Sequence, residues 1–222
     1  MTTELPLLYQ DQHLVVIDKP AWWLVHPTRG ARDARDVLGV LRDQLGQALY
    51  PVHRLDRQAS GLLVLARSSE VAGRLSDDIR ESRWDKGYLA LCRGVMPDSL
   101  RIEHPVHEGE HRRPALTMVH PLRVYCERYT LVRATPRTGR RHQIRYHLKH
   151  VSHPLVGDTN YGQGSLNRFF RETFGLDRMF LHAERLRLVH PVENRYLELC
   201  APLPVKLESV LERLQQYDGP VL

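Results

Sequence analysis

Apolar and polar positions along this chain repeat with two different periods. Leu7–Tyr9 and Leu14–Asp18 read as two short strands separated by polar residues. Lys19–Pro20 closes the second, because proline has no N–H with which to continue a ladder. The period then becomes helical over Asp33–Gly46: Val37, Leu38, Leu41 and Leu45 share a face, Asp33 is the expected cap and Gly46 the expected stop. Leu62–Ala66 is a wholly apolar run with polar flanks, the mark of a buried strand. Ser69–Arg83 follows as an amphipathic helix with Ala72, Leu75 and Ile79 inward, and Tyr88–Arg93 and Tyr129–Thr135 read as strands.

Asp98–Arg123 keeps neither period and is expected to form hairpins and loops. Arg140–His150 is helical again. Ile144, Leu148 and Val151 face inward there, while Arg141, Arg145 and Lys149, four apart, share another face. Pro154–Gly164 reads as loop, Phe180–Val189 and Tyr196–Ala201 as strands joined around Pro191, and Val205–Tyr217 as a closing helix. Strands outnumber helices and most connections are too short for repeated crossovers. The expected fold is therefore α+β, with a mixed or largely antiparallel central sheet and flanking helices. Residues 1–222 show no repeat or low-complexity linker, so one domain is expected.

The composition, 42% hydrophobic and 26% charged over 222 residues, is that of an ordinary folded protein. No apolar run is long enough to span a bilayer, and the N-terminus lacks the charged and apolar regions of a secretory signal; a cytoplasmic protein with no membrane partner is expected. The three cysteines, Cys92, Cys126 and Cys200, are widely spaced, which predicts buried thiols rather than a disulfide framework or zinc ribbon. A net charge of +6 favours polyanionic partners. Its placement says more: Arg128 to Gly157 contains seven Arg and Lys, four His and no acid, which predicts an anion-facing stripe.

Two segments carry candidate chemistry. In HRLDRQASGLLVLA, His53–Ala66, a charged cluster runs straight into the buried strand, which places Arg54 and Asp56 at the rim of a rigid element. The cations Arg54 and Arg57 favour an ionised Asp56, a competent nucleophile; the plain alternative is a turn with a surface ion pair. In TPRTGRRHQIRYHLKH, Thr135–His150, a turn at Pro136 and Gly139 leads into a basic helix whose first N–H groups and arginines can hold phosphates. Arg145 can equally turn inward onto a carboxylate. His142, His147, His150 and His153 lack the spacing of a metal site, and GDTNYGQG, Gly157–Gly164, lacks the ending of a nucleotide-binding loop; neither a metal nor a cofactor is expected.

HRLDRQASGLL resembles the HRLDxxTSGLL signature of the RluA-type pseudouridine synthases. Further blocks agree in order: VVIDKPAWWLVHP, Val15–Pro27; KGYLALCRG, Lys86–Gly94; PRTGRRHQIRYHL with HPLVGDTNYG, Pro136–Gly162; and LHAERLRLVHP, Leu181–Pro191. The segment Asn167–Ala183 is similar to the branch of that family that modifies uridine 65 in the acceptor stem of tRNA. Two positions depart from the pattern: Ala59 stands where the family has threonine, and Trp22 where it has glycine. The region Glu103–Arg128 also looks shorter than in that branch.

The resemblance implies an RNA pseudouridine synthase, a monomer acting on structured RNA, with tRNA the expected partner. It implies Asp56 as the catalytic carboxylate, Tyr88 packed on the flipped uracil, Arg145 orienting Asp56 and Arg54 filling the vacated stack. Ile144 would line the uracil pocket, and Arg140, Arg141 and Lys149 would contact phosphates. Three alternatives stay open at this point. One is a ribosomal RNA target. Another is a non-catalytic RNA-binding module, and the last a glycosidase, which normally needs two facing carboxylates.

Overall fold

A computed structural model describes residues 4–27 and 35–220. In chain order the elements are β1 (Leu7–Gln10), β2 (Leu14–Lys19), α1 (Val37–Leu45), β3 (Tyr50–Pro51), β4 (Ser60–Ala66), α2 (Ser69–Arg80), β5 (Asp85–Arg93), β6 (Leu100–Glu103), β7 (Val106–Glu108), β8 (His111–Arg113), β9 (Leu116–Tyr125), β10 (Tyr129–Pro136), α3 (Gln143–His150), α4 (Gly164–Phe174), β11 (Leu181–Val189), β12 (Tyr196–Cys200) and α5 (Val205–Gln215). The fold is α+β with mostly antiparallel strand pairing, as the pattern predicts. Contacts divide the chain into two compact units, one of residues 1–85 and 183–201, the other of 86–182 and 202–222.

In the first unit β1, β2, β3 and β4 pair antiparallel as β1–β2–β4 and β3–β4, with β11 on the other side of β4 and β12 beside β11. Every residue of β4 is buried, which explains its unbroken apolar run: both faces are covered. Val15 and Ile17 from β2 and Leu63 and Leu65 from β4 pack with Val37, Leu41 and Trp23. The expected cap Asp33 lies outside the described residues. Asp36 caps α1, its Oδ1 accepting from the Gly39 N–H at 2.8 Å, and Gly46 ends the helix at φ 67°. Helix α2 is capped by Ser68 and stops at Arg80, short of Arg83, where Ser82 turns left-handed.

In the second unit β5, β10, β9 and β6 pair in that order. Asp98–Arg123, which keeps no period, holds four strands. Register slips where Leu131 pairs with Arg123 and Val132 with Pro121, so Leu122 is an extra residue beside a proline. That bulge shifts which side chains face the core, and so erases the alternation a sequence pattern needs. The short hairpin β7–β8 projects only exposed or half-buried side chains after Val106. Helix α4 falls in a segment without an assigned element, although Leu166, Phe170 and Phe174 lie four apart. These residues form the second core with Tyr129, Phe180, Leu207, Val210 and Leu214; Tyr129 meets Phe170 edge-on at 4.9 Å.

The cysteine expectation needs correction. Cys92 is buried, but Cys126 is half-buried and Cys200 exposed, because Cys200 falls on the outward phase of β12. All three are free thiols. Among the described residues no helix is long and apolar enough to cross a membrane.

Candidate active site

The motif residues fall on both units: Arg54 and Asp56 on the first, and Tyr88, Arg140, Arg141, Ile144, Arg145 and Lys149 on the second.

On the first unit Asp56 is half-buried and Arg54 exposed. Buried Leu55 anchors the loop between them. Asp56 begins a tight turn closed by the Ala59 N–H on the Asp56 carbonyl at 3.0 Å, and β4 follows at once. Upstream, His53 Nε2 accepts from the Val64 N–H at 3.0 Å and its ring meets Trp84 edge-on. The loop is thus fastened to β4 at both ends. Gly61 fixes β4 in place: at φ +110° a Cβ would lie 2.3 Å from the Ala183 carbonyl oxygen, so β11 can approach only a glycine. Asp56 is therefore carried by rigid backbone, as the sequence predicts for a charged cluster running into a buried strand.

Lys19 belongs to the same construction, although its sequence reading assigned it only the end of β2. It is fully buried on β2 opposite Gly61, and its Nζ donates to the carbonyls of Pro20 and Trp23 at 2.8 and 3.0 Å. A buried ammonium needs such acceptors, and in taking them it fixes the turn that follows β2. That turn carries Trp22, whose N–H donates to the Arg57 carbonyl at 2.6 Å.

On the second unit Tyr88 is half-buried on β5, paired with Ala134 of β10. Two residues before it, burial pushes the Lys86 ammonium down to about 8. Strand β10 runs into the turn before α3. The helix begins at Gln143, three residues later than its periodicity suggests, because Arg141 and His142 form a turn and His142 is left-handed at φ 55°. The Gln143 side chain, buried and unassigned by sequence, organises this start. Its Oε1 accepts from the Arg140 N–H and the Thr138 hydroxyl, and its Nε2 donates to the Leu116 carbonyl and to Thr117. The Arg141 N–H donates to Glu108. These two N–H groups are thus engaged within the protein.

The four-residue spacing does not give one solvated basic face. Arg141 and Lys149 are exposed, but Arg145 is buried and forks onto Asp158, Nε to Oδ2 at 2.6 Å and Nη2 to Oδ1 at 2.8 Å. Burial acts to raise the Asp158 carboxyl, but Arg145 and the N–H groups of Asn160 and Tyr161 outweigh it and hold it below the usual range. Asn167 fixes this loop, accepting from the Gly157 N–H and donating to the Asp158 carbonyl. The Tyr161 ring lies beneath both cations, 5.2 Å from Arg145 and 5.9 Å from Lys149. Ile144 is buried beside Arg145, and Arg140 donates from Nε to the Pro114 carbonyl.

The histidines of the basic segment divide in the same way. His147 is fully buried between Thr117 and the His104 carbonyl, and burial lowers its pKa. His153 faces the Arg93 carbonyl. His150 stacks on His104 with ring centres 3.7 Å apart. Among the described residues, the grouping with ligand atoms close enough for a metal is Asp11, His190 and Glu193. There His190 Nδ1 accepts from the Val192 and Glu193 N–H groups, and Asp11 is held by Tyr9, His13, Leu14 and His190. Those contacts tie the β11–β12 turn to the β1–β2 turn.

Residues 13–150 match the family model described as RNA pseudouridylate synthase, and the chain belongs to that family of isomerases. It is 39% identical to tRNA pseudouridine synthase C of Pasteurella multocida (strain Pm70) over 89% of this chain and 90% of that one. It is 36% identical to tRNA pseudouridine synthase C of Vibrio parahaemolyticus serotype O3:K6 (strain RIMD 2210633), over 96% of each. Among solved structures, the human RNA Pseudouridylate Synthase Domain Containing 4 superposes with a TM-score of 0.78 at 27% identity, covering 94% of this chain and 92% of that one.

Proposed function

We propose that this chain isomerises a uridine of tRNA to pseudouridine, at position 65 of the acceptor stem, with Asp56 as the catalytic carboxylate. The observation that carries the reading is Asp56 itself: a half-buried acid on a tight turn that leads directly into β4, in a chain of the RNA pseudouridylate synthase family, for an isomerisation that one carboxylate can serve as nucleophile or base. The tRNA substrate is supported by relatives named tRNA pseudouridine synthase C, which this chain matches over most of both lengths.

In the reaction the N1–C1′ bond breaks, the uracil turns, and C5 forms a bond to C1′. The proton on C5 leaves and N1 gains one, so no redox partner is required. Asp56 acts either as a nucleophile at C1′ or as a base at C2′. A paired uridine must leave its stack to be reached. Arg54, exposed and planar, fills the gap, while Tyr88 packs on the uracil and Ile144 lines its pocket. Arg145, whose Nε and Nη2 hold Asp158, is the residue to which the resemblance assigns the orienting of the catalytic carboxylate. Arg140, Arg141 and Lys149 hold phosphates.

The test is Asp56→Asn in the purified protein, with pseudouridine mapped in an unmodified tRNA transcript. The variant is expected to lose turnover by at least about a thousandfold while its RNA affinity stays within about threefold. Retained turnover overturns the role of Asp56. Mapping in cells lacking the protein decides the substrate: loss of a ribosomal pseudouridine with position 65 intact overturns the tRNA assignment. Release of free uracil favours a glycosidase.

A further inference from the structure

We infer that Trp22 is a stacking platform for a nucleobase next to the target uridine, and so a specificity-determining contact. The inference rests on the RNA reading above. Three observations on the first unit carry it.

The first is backbone strain. Trp22 sits at φ 71°, in the left-handed region that glycine enters freely and a bulky residue does not. The pattern this segment resembles has glycine here. A tryptophan held in that conformation against its preference needs a return from its side chain.

The second is exposure. The next residue, Trp23, is buried in the core, while Trp22 leaves 42% of its surface open. Most of the return from an indole comes from burial, and here a large part of the residue stays uncovered.

The third is rigid presentation beside Asp56. The Trp22 N–H donates to the Arg57 carbonyl at 2.6 Å, and Arg57 Nε donates to the Trp22 carbonyl at 3.2 Å. The Arg57 guanidinium lies 5.9 Å from the indole centre. On either side Lys19 pins the carbonyls of Pro20 and Trp23. An open aromatic face, a cation against it and a fixed backbone one residue from the catalytic acid suit a flat, electron-rich ring attached to a phosphate chain. An RNA base next to the flipped uridine has that chemistry.

The test uses the full enzyme and unmodified tRNA transcripts with 2-aminopurine replacing each nucleotide flanking position 65 in turn. Wild-type protein is expected to quench one of these probes on binding. Trp22→Asn tolerates the left-handed backbone and removes the ring. It should weaken binding by about fivefold or more and abolish the quench, while Trp22→Phe keeps both. A structural role alone would lower thermal stability without removing the quench. Should Trp22→Asn fold poorly, wild-type enzyme is irradiated with transcripts carrying 5-iodouridine at the same positions, and the adduct is expected on Trp22.

Trp22→Asn binding within twofold of wild type with the quench intact, or adducts that exclude Trp22, overturns the inference. Conversion to pseudouridine is scored in the same samples. A converted transcript with Trp22 not engaged leaves the proposed function standing. A transcript that wild-type enzyme does not convert overturns the proposed substrate, and this inference with it.

Discussion

Arg145 donates from Nε and Nη2 to the two carboxylate oxygens of Asp158, and neither side chain has more than 8% of its surface open to solvent. Such a pair stabilises little over a well-packed apolar one, because both ions lose their hydration. Breaking it is another matter, since the remaining charge stays buried. Asp158→Asn is expected to cost about 3–5 kcal/mol in urea denaturation, and Arg145→Lys less, since it keeps a charge but loses the fork. A cost below about 1 kcal/mol for Asp158→Asn would show that the pair is not what holds α3 to the loop at Gly157–Tyr161.

Gly61→Ala should be among the most damaging single-methyl changes in the chain. Its Cβ would meet the backbone of Ala183 at 2.3 to 2.8 Å, where no side chain can swing away. The expected loss is about 3 kcal/mol or more, with reduced pseudouridine formation, since β4 carries the turn at Asp56. Gly73→Ala is the contrast: it lies inside α2 with nothing within 4 Å of the new methyl, and should gain about 0.5–1 kcal/mol. Thermal denaturation of the two variants checks the pair of signs.

Acid stability should depend on Asp11. Burial acts to raise its carboxyl, but the Tyr9 hydroxyl, the N–H groups of His13 and Leu14, and His190 outweigh it and bring the pKa from 3.8 to about 2. The folded form thus binds this proton less readily than the unfolded chain. Its stabilisation is present above pH 4 and is lost as the pH falls toward 2. Asp11→Ala is expected to cost about 1–2 kcal/mol at neutral pH and to flatten the acid limb of a stability–pH curve over that window. An unchanged acid limb would remove Asp11 from the account.

Much of this architecture was legible along the chain because its signals are local. The apolar run Leu62–Ala66 read as a buried strand, and β4 is one, buried along its whole length. Gly46 ended α1 as expected, and the charged cluster before β4 placed Asp56 at a strand entry. Arg140–His150 showed its helix but not its start, since the turn at Arg141 and His142 has the same composition as the helix. The bulge opposite Leu131 and Val132 hid β9, because one inserted residue reverses every later side chain.

The sequence by itself determined most of the helices and strands outside 98–125 and α4, where Asp56 sits at the entry to β4, and which family the blocks resemble, because periodicity, turn chemistry and motif order are properties of neighbouring residues. Only the tertiary structure decided that Arg145 takes Asp158, that Lys19 holds the Trp22 turn, and that Gln143 organises the start of α3. Those pairings join residues distant in sequence or side chains whose direction composition does not fix. A buried charge must find its partner wherever packing brings one, and packing is not written in any local pattern.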